Sequence, residues 1–303
     1  MSLRIGEICR QLEKENIYFL TDEPMKNHTS FRIGGPAKIL SEPGSEDEIM
    51  FLKTICERFE IPYCIIGNGS NLLVSDDGYD GVIIKLGKRF ADIEVFENRI
   101  TAKAGALLGS VAKAAADNGL SGLECESGIP GSLGGAIVMN AGAYGGEMKD
   151  IVVKTTYISK NGNIESVCGE KHKFSYRKSI FEENNLTVLS SVMLFKPEKK
   201  DIIYEKMTEL NKKRREKQPL EYPSCGSTFK RPEGYFAAAL IEQAGLKGYS
   251  IGGAQVSKKH SGFIVNKEAA SAQDVLKLVD YIKNEVYRQY GVELECEMKM
   301  LGF

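Results

Sequence analysis

A run of 20 residues without a single charge, SGIPGSLGGAIVMNAGAYGG at 127–146, limits what this chain can fold into more than any other feature. It has about the length of a membrane span, yet it holds seven glycines, a proline and an asparagine. Hydrocarbon does not tolerate such unpaired backbone unless protein surrounds it, so the run is expected to be a loop system. A second cluster, GNGSN at 67–71, lies between the strand-like segments YCII and LLV. Lacking side-chain bulk, the backbone N–H groups of both clusters can come close to a phosphate and point at it. Neither fits a standard fingerprint: a GxGxxG turn should open a helix, whereas strand formers follow Gly69, and GxxxxGK[ST] occurs nowhere. One such cluster alone is well explained as a tight turn. Two of them, near opposite ends of one expected domain, favour a diphosphate-bearing cofactor held by loops.

The rest of the composition narrows the class. With 303 residues the chain can bury a sizeable core. Forty basic against 41 acidic residues leave a formal charge of −1, so no global field favours nucleic acid or an anionic membrane face. Seven cysteines without a CxxC pair argue against a disulfide framework and a thiolate zinc site, and the three histidines are far apart. We expect no metal. The first residues, MSLRIGEICRQLEKEN, lack the continuous apolar stretch of a secretory signal, and a reducing cytoplasm is the expected compartment.

Hydrophobic spacing predicts a short helix through Ile5, Ile8, Cys9 and Leu12, and a second one after the capping box Ser45/Glu48. A third helix should end near Asn118-Gly119, and Asn161-Gly162 should turn a hairpin. Residues 201–217 read as a helix that turns basic at its end. YFAAALIEQAG reads as a buried helix, a long helix should start at Ser271, and VELECEMKML should close the chain as a strand. Strands come in hairpins and runs rather than in βαβ alternation, which predicts an α+β fold. The expected division is 1–88, 89–205 and 206–303, two cofactor-binding subdomains followed by an α+β substrate domain whose last strand returns to the cofactor.

Five stretches in order, IIGNGSNLLV, GIPGSLGGAIVMNAGAYG, FSYRKSIF, CGSTFKRP and ELECEMKMLG, resemble the UDP-N-acetylenolpyruvoylglucosamine reductase (UDP-N-acetylmuramate dehydrogenase) family of bacterial cell-wall synthesis over nearly the whole chain. The resemblance implies an FAD-binding fold of the vanillyl-alcohol oxidase and p-cresol methylhydroxylase type. It places Gly67, Asn68, Gly69, Ser70, Asn71 and Leu72 in one cofactor loop. Gly128, Gly131, Ser132, Gly134, Gly135 and Ala136 fall in the other, with Asn140 and TSFRIGG (29–35) nearby. It further implies NADPH as hydride donor and a UDP-sugar enolpyruvyl ether as substrate, with no nucleic acid or membrane partner. We expect a monomer.

Hydride added to the terminal carbon of such an ether pushes negative charge onto the neighbouring carbon and its carboxylate, so the protein must stabilise that charge and supply a proton. By resemblance, Arg177 in the YRKS segment grips the carboxylate, which suits an always-charged, bidentate guanidinium. Glu297 is implied to be a buried acid, protonated at rest because an apolar site disfavours its ionised form. Ser227 in CGSTFK is the implied proton donor; by local pattern alone it is a turn serine. Tyr176 and Lys217 correspond to substrate-binding positions. The basic residues Lys212, Lys213, Arg214 and Arg215 read as a solvated helix end that offsets the helix dipole.

Two departures stand out. Some members carry asparagine where this chain has Arg231, and some have an extra loop with a tyrosine that finds no room in 150–200, so the chain resembles the shorter subfamily. Cys225 as a nucleophile is a rival expectation. Two further alternatives stay open: another FAD oxidoreductase on the same scaffold, such as an alcohol or hydroxy-acid oxidase, and a non-catalytic nucleotide-binding protein.

Overall fold

A computed structural model describes residues 2–303. The chain forms two compact units, each assembled from three segments: 2–19, 40–68 and 83–214 in the first; 20–39, 69–82 and 215–303 in the second. These units do not coincide with the contiguous division expected from sequence, because the chain passes between them five times, within Phe19–Pro24, Pro36–Ser41, Tyr79–Lys85 and Lys200–Lys217 and between Asn68 and Gly69.

The first unit is built on a five-stranded antiparallel sheet in the order Ile164–Cys168, Val152–Ile158, Thr187–Leu194, Arg99–Lys103, Ile93–Phe96. Asn161-Gly162 does turn a hairpin: Ile158 pairs with Ile164, and Gly162 takes φ +78°. The helix Leu108–Asp117 buries Leu108, Val111, Ala112, Ala115 and Ala116, and stops before Gly119, whose φ of +68° ends it without strain. In Glu46–Arg58, Ser45 accepts a hydrogen bond from the Glu48 amide at 3.1 Å, while the Glu48 carboxylate reaches Gly44 instead of Ser45. The cap is therefore not the reciprocal box expected.

The uncharged run is not all loop. Leu133–Val138 is a helix whose Leu133, Gly134, Ala136 and Ile137 are buried, and it packs on Thr187–Leu194. Gly134 permits this approach, since a Cβ there would lie 2.9 Å from Ala104 Cβ. A small hairpin follows, Gly142–Ala143 against Gly146–Glu147.

The second unit gathers one apolar cluster around the long helix Ala272–Tyr290, which buries Val275, Leu278, Val279, Ile282 and Val286. Ser271 and Asp274 form a full capping box, and Gly291 ends the helix at φ +67°. The short helix Ala237–Gln243 and the sheet Ser250–Ile251, Ala254–Val256, Ile264–Asn266 pack into the same cluster. Leu72–Val74 pairs in parallel with Lys299–Leu301. The expected final strand is thus reduced to three residues plus a single bridge from Cys296 to Phe229.

No helix among the described residues is long and apolar enough to cross a membrane.

Candidate active site

In the first unit the two glycine clusters meet. Asn68 Nδ2 donates to the Pro130 carbonyl at 2.6 Å. A Cβ on Gly67 would stand 2.0 Å from Ser132 Oγ, and one on Gly135 would stand 3.6 Å from it. Gly67 therefore cannot be replaced without displacing the serine. Ser132 is 1% exposed, yet its hydroxyl has no hydrogen-bond partner and does not cap the helix it precedes. A buried hydroxyl left unsatisfied costs about 1–3 kcal/mol. A hydroxyl in a crevice of bare glycine backbone is the donor set that a phosphate oxygen requires, so these residues fit the diphosphate of an FAD.

The remaining expected cofactor positions divide between the units. Gly128, Gly131, Gly134, Ala136 and Asn140 lie in the first; Gly69, Ser70, Asn71 and Leu72 lie in the second. Within the second unit, Gly69 packs on the start of TSFRIGG and the residue before it: a Cβ there would be 2.1 Å from the His28 carbonyl and 3.1 Å from Thr29 Cα, and the Ser30 amide donates to Gly69 O.

Asn140 organises the other side of the first unit. It is 1% exposed and sits at φ +43°. Its amide donates to Glu147 Oε2 at 2.9 Å and to the Ser175 carbonyl at 3.1 Å, while its Oδ1 accepts from the Lys149 amide at 2.9 Å. Ser175 opens a tight turn closed by Lys178, and Arg177 lies inside it at φ +56°. Arg177 is thus held in a turn, in the left-handed region. Its guanidinium lies 5.2 Å from the centre of the Tyr176 ring. Burial favours the neutral form of Glu147, but hydrogen bonds from Lys149 and Asn140 and the charges of Lys149 and Arg177 hold its carboxyl below the usual range. Glu147 was not legible as a site residue from sequence.

The second unit brings Ser227 and Glu297 to neighbouring backbone. The Glu297 amide donates to the Thr228 carbonyl at 2.8 Å, and Asn71 Nδ2 donates to the Glu297 carbonyl at 3.0 Å. Ser227 Oγ donates to the Phe229 carbonyl at 3.2 Å, next to Gly226 at φ +84°. Glu297 is half-buried rather than fully buried, because residues 292–298 are held by isolated backbone bonds and not by a sheet ladder. Glu293 is exposed, and Glu295 pairs with Lys230. Lys217 is exposed at the last position of Lys200–Lys217. The Arg231 guanidinium stacks 3.8 Å from the centre of the Phe236 ring.

Cys225 is no nucleophile. It is 2% exposed, its Sγ packs 3.8 Å from the Met298 sulfur, and burial pushes its thiol up to about 12, so the reactive thiolate is suppressed.

Comparison with known proteins decides the family. Residues 218–301 match the family model described as UDP-N-acetylenolpyruvoylglucosamine reductase, C-terminal domain, and residues 37–167 match the one described as FAD binding domain. The UDP-N-acetylenolpyruvoylglucosamine reductase of Caldanaerobacter subterraneus subsp. tengcongensis is 52% identical over 293 residues, covering 97% of this chain and 96% of the relative. The chain belongs to the UDP-N-acetylenolpyruvoylglucosamine reductase family. The Clostridioides difficile member is 50% identical over 291 residues, covering 96% of this chain and 95% of its own. A crystal structure of the reductase from Thermus caldophilus superposes with a TM-score of 0.80 at 35% identity, covering 94% of this chain and 99% of that one. Membership of this reductase family makes the chain an FAD-containing oxidoreductase, and the expected α+β, FAD-binding fold stands.

Proposed function

We propose that this reductase takes hydride from NADPH and reduces the enolpyruvyl ether of UDP-N-acetylglucosamine enolpyruvate to UDP-N-acetylmuramate, in peptidoglycan precursor synthesis. The single observation that carries the reading is the 52% identity, over 97% of this chain, to the UDP-N-acetylenolpyruvoylglucosamine reductase of Caldanaerobacter subterraneus subsp. tengcongensis. The chemistry that FAD supplies when bound is carriage of hydride from NADPH to the terminal carbon of the ether.

The chain's own residues do the rest. Ser132 and the bare backbone of Gly67 and Gly135 receive the cofactor diphosphate. Arg177 grips the substrate carboxylate, and its cation offsets the charge that grows there as the ether becomes enediolate-like. Glu297, taken as protonated, donates a hydrogen bond to the same oxygens. Ser227 turns its hydroxyl from the Phe229 carbonyl to the carbanionic carbon and gives up its proton, which is downhill because a carbanion is a far stronger base than an alkoxide. Tyr176, with its ring beside Arg177, lies along the substrate. On the substrate side, Lys217 at the end of its helix supplies a cation for the nucleotide phosphates.

The test is spectroscopic. The purified chain should be yellow, NADPH should bleach it without oxygen, and the enolpyruvyl nucleotide should restore the colour with formation of the lactyl ether. Bleaching by a simple alcohol or hydroxy acid, with rapid reoxidation by oxygen, would instead establish an oxidase. A colourless chain that binds nucleotide would establish a non-catalytic protein.

A further inference from the structure

The basic end of the helix Lys200–Lys217 does not behave as one solvated face. Lys212, Lys213 and Arg215 are exposed, whereas Arg214 is buried. Its guanidinium donates to the Gly128 carbonyl at the head of the second glycine loop, and it also bonds the Tyr144 side chain at the tip of the 142–147 hairpin. The fit is close: a Cβ on Gly128 would stand 2.3 Å from Asn211 Oδ1 and 3.1 Å from Arg214 Cδ. One buried cation thus ties together the helix end, the loop 128–136 and the hairpin, all inside the first unit.

Beside it lies a second anomaly. Glu126 is 1% exposed, and neither carboxylate oxygen has a hydrogen-bond partner. The hairpin covers it, since a Cβ on Gly146 would approach Glu126 Oε1 to 2.7 Å. The charged and titratable groups around it are Arg214 on the helix, Lys206 about two turns before it on the same helix, Glu124 and Cys125 on its own segment, and Asp150 after the hairpin. Arg214 is the buried cation of this set.

We propose that Arg214 is a positioning residue for the flavin site, clamping the diphosphate loop to the hairpin, and that the charge on Glu126 sets how firmly the clamp holds. The proposal rests on the reading of 128–136 as the loop that takes the cofactor diphosphate. While Glu126 is neutral, the guanidinium serves Gly128 and Tyr144. An ionised, unbonded carboxylate in that position is costly, and its relief is to draw Arg214 away from those two partners. The clamp therefore loosens as pH rises. Burial, together with the charges of Asp150 and Glu124, pushes the Glu126 carboxyl up to about 7, which puts the change near neutrality.

The test is the affinity for FAD, read from the fluorescence of released flavin, with hydrogen exchange at 128–147 as a measure of local order. Arg214→Met should weaken FAD binding on the order of tenfold or more, as loss of charge-assisted hydrogen bonds implies. Arg214→Lys, which keeps the charge but not the fork, should fall between. The parent protein should lose affinity between about pH 6 and about pH 8, and Glu126→Gln should flatten that profile with its overall fold intact. FAD affinity equal to the parent's in both Arg214 variants, or an unchanged pH profile in Glu126→Gln, would overturn the proposal. Failure of the parent itself to take up FAD would overturn the diphosphate-loop reading and this one with it.

Discussion

The Arg177 turn of the first unit and the Ser227 loop of the second carry the two halves of the proposed chemistry, and they are held in opposite ways. Around Arg177 the backbone is forced: Asn140, Tyr144 and Arg177 all take positive φ, at 43°, 53° and 56°. Each such residue costs on the order of 1–3 kcal/mol and persists only where its surroundings over-determine it. Here the buried Asn140 amide does that, tying Ser175, Glu147 and Lys149 together. Around Ser227 the strain is taken by Gly226 at no steric cost, and main-chain bonds to 295–297 fix the path. The Ser227 hydroxyl itself has only a 3.2 Å bond to a carbonyl two residues away. A group that must grip charge is locked, whereas a group that must move a proton keeps a bond it can exchange.

Changes to each region break this contrast to different extents. Arg177→Lys keeps a cation but loses the bidentate fork, and should slow reduction of the enolpyruvyl substrate on the order of 10²- to 10³-fold, about 3–4 kcal/mol, with reduction by NADPH unchanged. Rapid-mixing kinetics of the two halves check this. Asn140→Ala should lower the unfolding free energy by about 3 kcal/mol, because it removes three hydrogen bonds made by a buried side chain and puts alanine at positive φ; urea unfolding is the measure.

Glu126 gives a pH signature. Its pKa is raised in the folded state from an ordinary 4.5 to about 7, so the unfolded chain releases this proton first. Stability contributed by the neutral acid is full below about pH 4.5 and is lost as pH rises to about 7, by about 2–3 kcal/mol. Glu126→Gln should remove that slope from unfolding midpoints. The smallest effect belongs to Ser30→Ala in the second unit, which removes the 2.6 Å bond to the Ser224 carbonyl and should cost about 1 kcal/mol, with little effect on the Arg177 side.

What the sequence made legible follows from range. The helix stop at Gly119, the helix start at Ser271 and the turn at Gly162 are local, and each stands as expected. The helix Leu133–Val138 was hidden because glycine lowers helix propensity, while packing on Thr187–Leu194 supplies the stability that propensity does not. The final segment alternates like a strand but lacks a ladder partner over 292–298, so Glu297 lies half-buried. Arg214 looked like a solvated cation because its partner Gly128 is 86 residues away, and no local pattern reports that. Glu126 was missed for the same reason. Ser227, Arg177 and Glu297 were legible only through resemblance of their motifs to the family, since each alone has an ordinary structural explanation.

The central claim is that Ser227 delivers the proton while the cofactor-facing machinery remains intact. Single-turnover kinetics of Ser227→Ala test it most directly, with flavin reduction by NADPH and reoxidation by the enolpyruvyl nucleotide followed separately. The account predicts a parental rate in the first half and a severe slowing confined to the second. Equal slowing of both halves, or a parental rate in the second, would contradict it.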